Sequence, residues 1–325
     1  GNDGSGIQQI ALWDGSTTQD MVITNTTATM PNTGFGTIGI NITIDATHTK
    51  NVQFISTVAD PGNSGQIGLN FVTNASATAQ LILGDFTTTR MRLTGRPAGA
   101  IHYWVNNSSA PFVVNPSAEW QAGGGTAYTI DFSGPGNFDI RNSLRTDNGG
   151  GGVSLVVNGP GSIVWTNGTT FIPANDAPNT VTVNAGTLTF ANNLLTAGKN
   201  GNGAITINGG LVVFKTVVPA DADTISRALV GASPGVFEVN SGTLTLSSGS
   251  STFGGNINLT GGKVIVAGAE TESVSGPLGL GGTISFTGGT LGYSVNNIYD
   301  YSARFSAAAG QAYSIDTGGQ SVTFT

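Results

Sequence analysis

From residue 181 onward, apolar and polar positions alternate in short bursts broken by glycine-rich turns: VTVNAGTLTF, ITINGGLVVF, FEVNSGTLTL, INLTGGKVIV and ISFTGGTLGY. Two earlier phrases, IDFSGPGNFDI and LVVNGPGSIVW, carry an extra position in the turn. Aligning the phrases on the second or only glycine of the turn superposes Gly136, Gly161, Gly186, Gly210, Gly242, Gly262 and Gly289. The spacing varies, with its longest interval between Gly210 and Gly242 and its shortest between Gly242 and Gly262. Four apolar columns result. The first holds Ile130, Leu155, Val181, Ile205, Phe237, Ile257 and Ile284; the second Phe132, Val157, Val183, Ile207, Val239, Leu259 and Phe286. The third holds Phe138, Ile163, Leu188, Val212, Leu244, Val264 and Leu291; the fourth Ile140, Trp165, Phe190, Phe214, Leu246, Val266 and Tyr293. Every column position is apolar in a chain that is 38% apolar overall, so the pattern is not a by-product of composition.

Period-two alternation turns one face of each strand inward. The Asn-x-Gly and Thr-Gly-Gly turns supply residues that tolerate a positive φ and so allow a sharp bend. One such repeat cannot bury its own apolar face and must stack on its neighbours. The expected fold is all-β, a right-handed parallel β-helix (β-solenoid) with coils of about 25 residues and ~4.8 Å between coils. The longest interval contains the segment Lys215 to Gly235, which is expected to project as a loop because insertions there cost little.

The N-terminal part, up to residue 125, continues the alternation less regularly, through Ile38, Ile40, Ile42 and Ile44, then Ile67, Leu69 and Phe71, and the pairs Leu81/Leu83 and Met91/Leu93, and finally Ile101, Tyr103 and Val105. Three segments follow: 1–21, an N-terminal segment containing IQQIALWDG; 22–125, irregular solenoid coils; and 126–325, regular coils ending in the strand-turn-strand phrase YSIDTGGQSVTFT.

Composition narrows the class. Charged residues make up 9% of the chain and 50 residues are glycine, which leaves little with which to build exposed helices. The net charge is −7 and the 11 Lys and Arg are dispersed, so a nucleic-acid partner lacks its electrostatic footprint. Cysteine is absent, which removes disulfide and thiol chemistry and fits an exported bacterial protein. The opening Gly-Asn-Asp-Gly has no signal-peptide pattern and is read as a mature or trimmed start. No apolar run has the length of a membrane helix.

The phrases VNAGTLTF at 183–190, VNSGTLTL at 239–246 and the terminal SIDTGGQSVTFT, with ALWDG at 11–15, resemble the autotransporter-associated β-strand repeat, or passenger-associated transport repeat, of large bacterial surface proteins. The resemblance covers roughly 126–325. It implies a right-handed parallel β-helix at the cell exterior, used as a stalk, adhesin or fibre. An outer-membrane β-barrel pattern is not seen at the C-terminus, so self-translocation is not implied.

Candidate chemistry is sparse. His48 and His102 lie far apart with no acidic pair beside them, which leaves no basis for a catalytic triad or a zinc site; both are read as structural. Asp221, Asp223 and Arg227 could contact calcium or a sugar, but a solvated loop with Asp223 or Thr224 capping a helical turn over TISRAL is the favoured reading. TDNGGGG at 146–152 is read as a loop and not a calcium site. Asp131 and Asp139 should face solvent. Tyr103 and Trp104, adjacent on a strand, should point to opposite faces; with Trp120 they are the candidates for a glycan platform, although packing is favoured. Trp165 and Tyr293 are assigned to the core. Sequons stand at Asn25, Asn41, Asn74, Asn106, Asn107, Asn167 and Asn258. No catalytic residue, metal ligand or cofactor is assigned.

Solenoids normally cap the open strand edges at their ends, so an uncapped C-terminal edge means either a fragment of a longer repeat protein or an edge covered by another subunit, and the second is the favoured reading. Ser-Val-Thr-Phe-Thr at the C-terminus alternates, with Phe324 in a core-like register. The expectation is an extracellular, cell-surface structural protein whose subunits stack head-to-tail. Ile7, Ile10, Leu12 and Trp13 would form one side of the interface, and Tyr313, Ile315, Val322 and Phe324 the other. Copies of the chain are thus the expected partner, with surface glycans second. The alternatives are a monomeric stalk or adhesin segment and a β-helix carbohydrate-active enzyme.

Overall fold

The computed structural model describes residues 8–12, 21–25, 39–44, 49–56, 68–73, 78, 80–83, 91–94, 101–115, 118–122, 128–141, 144–146, 153–166, 171–172, 180–191, 203–215 and 222–325. The chain divides into two compact units, Gly1–Asn179 and Thr180–Thr325. Both are built of short parallel strands wound as a β-solenoid, as the alternation predicts.

In the first unit one ladder stacks Gln8–Leu12, Gly39–Ile44, Gly68–Thr73, Ile101–Asn106, Tyr128–Ser133 and Val153–Val157. A second stacks Met21–Asn25, Val52–Ser56, Leu81–Leu83, Phe112–Val114, Phe138–Ile140 and Ser162–Trp165. A third is made of Met91–Thr94, Ala118–Ala122, Leu144–Thr146 and Phe171–Ile172. The described strands of the irregular 22–125 segment therefore belong to the solenoid as well. Its coils are longer: the turn of chain that brings Trp104 onto Phe71 exceeds the one that brings Leu155 onto Ile130.

In the second unit the first ladder holds Val181–Val183, Ile205–Ile207 and Leu229–Val230. The second holds Thr187–Ala191, Leu211–Lys215, Val236–Ser241, Asn256–Leu259 and Ile284–Phe286. The third holds Ala222–Ile225, Thr243–Leu246, Lys263–Val266, Thr290–Gly292 and Ile315–Asp316. All residues of the four apolar columns are buried, none more than 3% exposed. Full removal of such side chains from water contributes roughly 1.5–3 kcal/mol each before the cost of ordering the chain.

The column alignment nevertheless conceals a step. The first strand of the later phrases does not stack on the first strand of the earlier ones. Phe237 and Val239 lie in register with Val212 and Phe214, so each later phrase sits one ladder further round. The long interval between Gly210 and Gly242 is thus one ordinary coil, Val212 to Phe237, plus the step from Phe237 to Leu244 on the next ladder. The described part of the segment Lys215 to Gly235, residues 222–235, does not project as expected. Within it Ala222–Ile225 pairs with Thr243–Leu246, and Leu229–Val230 pairs with Ile205–Thr206. The expected helical turn over TISRAL is likewise a strand followed by a bend, because parallel pairing satisfies more of its backbone than one isolated turn would.

Gly262 illustrates why the turns need glycine. Its φ is +66°, and a Cβ there would lie 2.4 Å from the Gly242 carbonyl oxygen of the preceding coil. In the first unit the buried Asn106 serves the same turn region through its side chain. Its Oδ1 accepts from Thr73 Oγ1 at 2.7 Å, and its Nδ2 donates to the carbonyls of Ala110 and Asn137. The sequon at Asn106 is therefore enclosed in the fold and its amide fully engaged.

Candidate assembly surface

The last coil of the second unit departs from the repeat. Ile315–Asp316 lies on Thr290–Gly292, with Ile315 in register with Leu291. Leu291 N–H donates to Ser314 O at 3.0 Å and Tyr293 N–H to Asp316 O at 2.8 Å. Alternate residues of a parallel strand direct their main-chain groups to opposite sides. Ile315 therefore turns its N–H and C=O away from Leu291, and its strand has one neighbour among the described strands.

On the second ladder the same coil is reduced to a single bridge, Ile284 to Phe305. Next to it a side chain replaces the strand: Phe286 N–H donates to Gln311 Oε1 and Phe286 O accepts from Ala312 N–H, each at 2.7 Å. The sequence FSAAAGQA has no alternation to support a longer strand, and Gly310 turns the chain at φ +85°.

Aromatic rings take the place of the missing ladder. Phe286 meets Phe305 edge-on at 4.9 Å and Tyr313 at 5.5 Å, and Phe305 stacks on Tyr313 at 5.9 Å. Phe324 lies 6.1 Å from Tyr293 and 6.3 Å from Phe305. Tyr301 is buried between Tyr293 and Tyr299. Its hydroxyl donates to Glu270 Oε2 at 2.5 Å and accepts from Asn297 Nδ2 at 3.0 Å. Burial raises the Glu270 carboxyl above its usual range, against the lowering effect of Tyr301, Arg304 and Asn297. Arg304 is turned onto carbonyls, donating to Leu278, Gly279, Gly281 and Gly282. Lys263 pairs with Asp316 across Gly292, where a Cβ would sit 2.7 Å from Lys263 Cε.

Of the interface residues expected from sequence, Ile7 and Trp13 lie outside the described residues. Ile10 and Leu12 pair in register with Ile42 and Ile44, in the strand at the edge of its ladder. Tyr313 is 55% exposed and Phe324 42%, while Ile315 and Val322 are half-buried. The terminal phrase is not the strand-turn-strand expected. Only Ile315–Asp316 forms a strand, and 317–325 fold back without pairing, because Gly318 and Gly319 both take positive φ and reverse the chain. Sequence reasoning missed Asp300, Tyr301, Phe305 and Gln311. The available signal was composition: four of the six tyrosines are Tyr293, Tyr299, Tyr301 and Tyr313.

His102 is buried, its ring 5.5 Å from Tyr128, and burial lowers its pKa. Trp104 is buried and Tyr103 exposed, on opposite faces as expected. Trp165 and Tyr293 are in the core. Asp223 is not on a solvated loop but buried, in register with Leu244; Arg227 is buried and donates to the carbonyls of Gly203 and Ala204. Desolvation brings the Arg227 pKa down to about 10. Asp139 pairs with Arg141. Asp131 faces outward but is only partly solvated, one oxygen accepting from Asn158 Nδ2 at 2.7 Å and the other enclosed. His48, Asp221 and residues 147–152 lie outside the described residues, as does the side chain of Trp120. Among the described residues no group of three or more His, Cys, Asp or Glu could hold a metal ion, and no helix is long and apolar enough to cross a membrane. Comparison with known protein families, curated proteins and solved structures finds no match to this chain.

Proposed function

We propose that this chain is an extracellular structural protein, a β-solenoid subunit that stacks head-to-tail on copies of itself to form a filament or surface fibre. The observation that carries the proposal is the outward edge of Ile315, flanked by the exposed ring of Tyr313. A strand laid against that edge gains main-chain hydrogen bonds and covers aromatic surface together, which is the physics of strand addition. The edge strand Gln8–Leu12 of a second copy, with its alternating Ile10 and Leu12, is the donor. A contact between unlike surfaces propagates into a filament where its rotation does not close into a ring. Low charge density leaves little repulsion to oppose stacking. The extracellular assignment is supported by the absence of cysteine and by the resemblance to bacterial surface repeats.

Sedimentation velocity across a concentration series tests this reading. The wild-type chain is expected to shift to large species as concentration rises. Ile315→Pro, which deletes the outward N–H, and Tyr313→Glu, which places a charge on the apposed face, are each expected to abolish the shift while circular dichroism stays unchanged. A wild-type chain that sediments as a monomer throughout would favour the monomeric stalk.

A further inference from the structure

We infer that residues 317–325 are a self-docked strap, occupying the apolar site into which a second copy must insert, so that stacking requires the strap to leave. This rests on the head-to-tail reading.

The register shows what the strap replaces. On the third ladder Ile225, Leu246 and Val266 form an apolar column, and Tyr293 continues it just past the paired Gly292. In the next coil the corresponding position, just past Asp316, is Thr317. The column therefore loses its apolar member there, and the ring of Phe324 covers Tyr293 in its place. The chain reaches that position through a tight reversal. Asp316 Oδ1 accepts from Gly318 N–H at 2.8 Å, Gln320 N–H donates to Thr317 O at 3.0 Å, and both glycines are left-handed.

The strap is held by few contacts. Asp300 Oδ2 accepts from the N–H and the hydroxyl of Thr325 at 2.8 and 2.9 Å, and Ser302 Oγ donates to Thr325 O at 3.2 Å. All three bonds are exposed, and hydrogen bonds in water contribute little net stability. Phe324 itself remains 42% exposed. A strand from a second copy would instead gain the Ile315 main-chain groups and fuller cover of the half-buried Phe305. The occupant is thus a second copy of this chain, and the strap is the weaker competitor for the same aromatic surface.

The test uses Asp300→Ala, which removes the latch, and Phe324→Ala, which removes the plug, with two readouts. The first is fluorescence of an apolar dye at concentrations where the chain is monomeric; the second is the lag before light scattering rises at high concentration. Both variants are expected to bind dye about threefold or more above wild type and to shorten the lag by a similar factor. Unchanged dye binding would overturn the strap while leaving stacking intact. Raised dye binding with an unchanged or longer lag would show that the strap does not gate, or that it is part of the interface. Raised dye binding with no scattering from any chain would overturn stacking and the gate together.

Discussion

Two aromatic clusters, one in each unit, differ in how their rings are held. In the first unit Phe71, Trp104, Phe112, Phe132 and Phe138 form a chain of rings at 5.1–5.7 Å, each on a ladder strand and each no more than 3% exposed. In the second unit Phe305, Tyr313 and Phe324 lie outside the named strands and retain solvent exposure. A ring on a ladder is covered by coils on both sides and by the facing ladder, so backbone pairing positions it. A ring off the ladder must be held by turns, by its neighbours and by polar latches such as those of Asp300 and Tyr301. The same residue type is thus a filler in one place and a cover in the other.

The largest expected difference is in stability. Trp104→Ala removes a ring enclosed by Phe71, Phe112 and Phe132 and should cost about 3–5 kcal/mol in denaturant unfolding. Phe324→Ala should cost ~1 kcal/mol or less, since much of its ring is already in water. Similar costs for the two would erase the distinction between filler and cover.

A smaller difference lies in the response to acid. Burial lowers the His102 pKa, so the folded first unit favours neutral imidazole. Its stabilising contribution is complete above the unfolded value of ~6.5 and is lost as pH falls below that toward the folded value. The Asp300 carboxylate, held down to about 2 by bonds from Ser302 and Thr325, contributes fully above the unfolded value of ~3.9 and loses that contribution progressively as pH falls from there through about 2. Hydrogen exchange resolved by segment at pH 5 should therefore show loosening around Ile101–Asn106 with the amide of Thr325 unchanged. Loosening of Thr325 alone would contradict the assignment.

The alternation of Ile205, Ile207, Val212 and Phe214 makes the strands and their inward faces legible from sequence, because a period of two leaves no other face to bury. What the alternation does not carry is which ladder a strand joins. Phe237 and Ile205 present the same pattern, and only the coil length between them decides that Phe237 falls beneath Val212. Asp223 escapes sequence reasoning for a related reason: the segment around it reads as polar loop, yet pairing with Thr243–Leu246 carries the carboxylate into an apolar column. At the candidate interface Tyr313, Ile315 and Phe324 are visible in the sequence as alternating apolar residues. The fold-back of Phe324 is not, since it depends on Asp300 and Ser302, which are ordinary polar residues until the chain brings Thr325 beside them.

On the head-to-tail reading, the outer coil of the second unit is an assembly edge. Negative-stain electron microscopy of the purified chain across a concentration series tests it most directly. Long, uniform fibres one solenoid wide, absent in Ile315→Pro, are the predicted result. Isolated short particles at every concentration, in wild type and in Asp300→Ala alike, would contradict it.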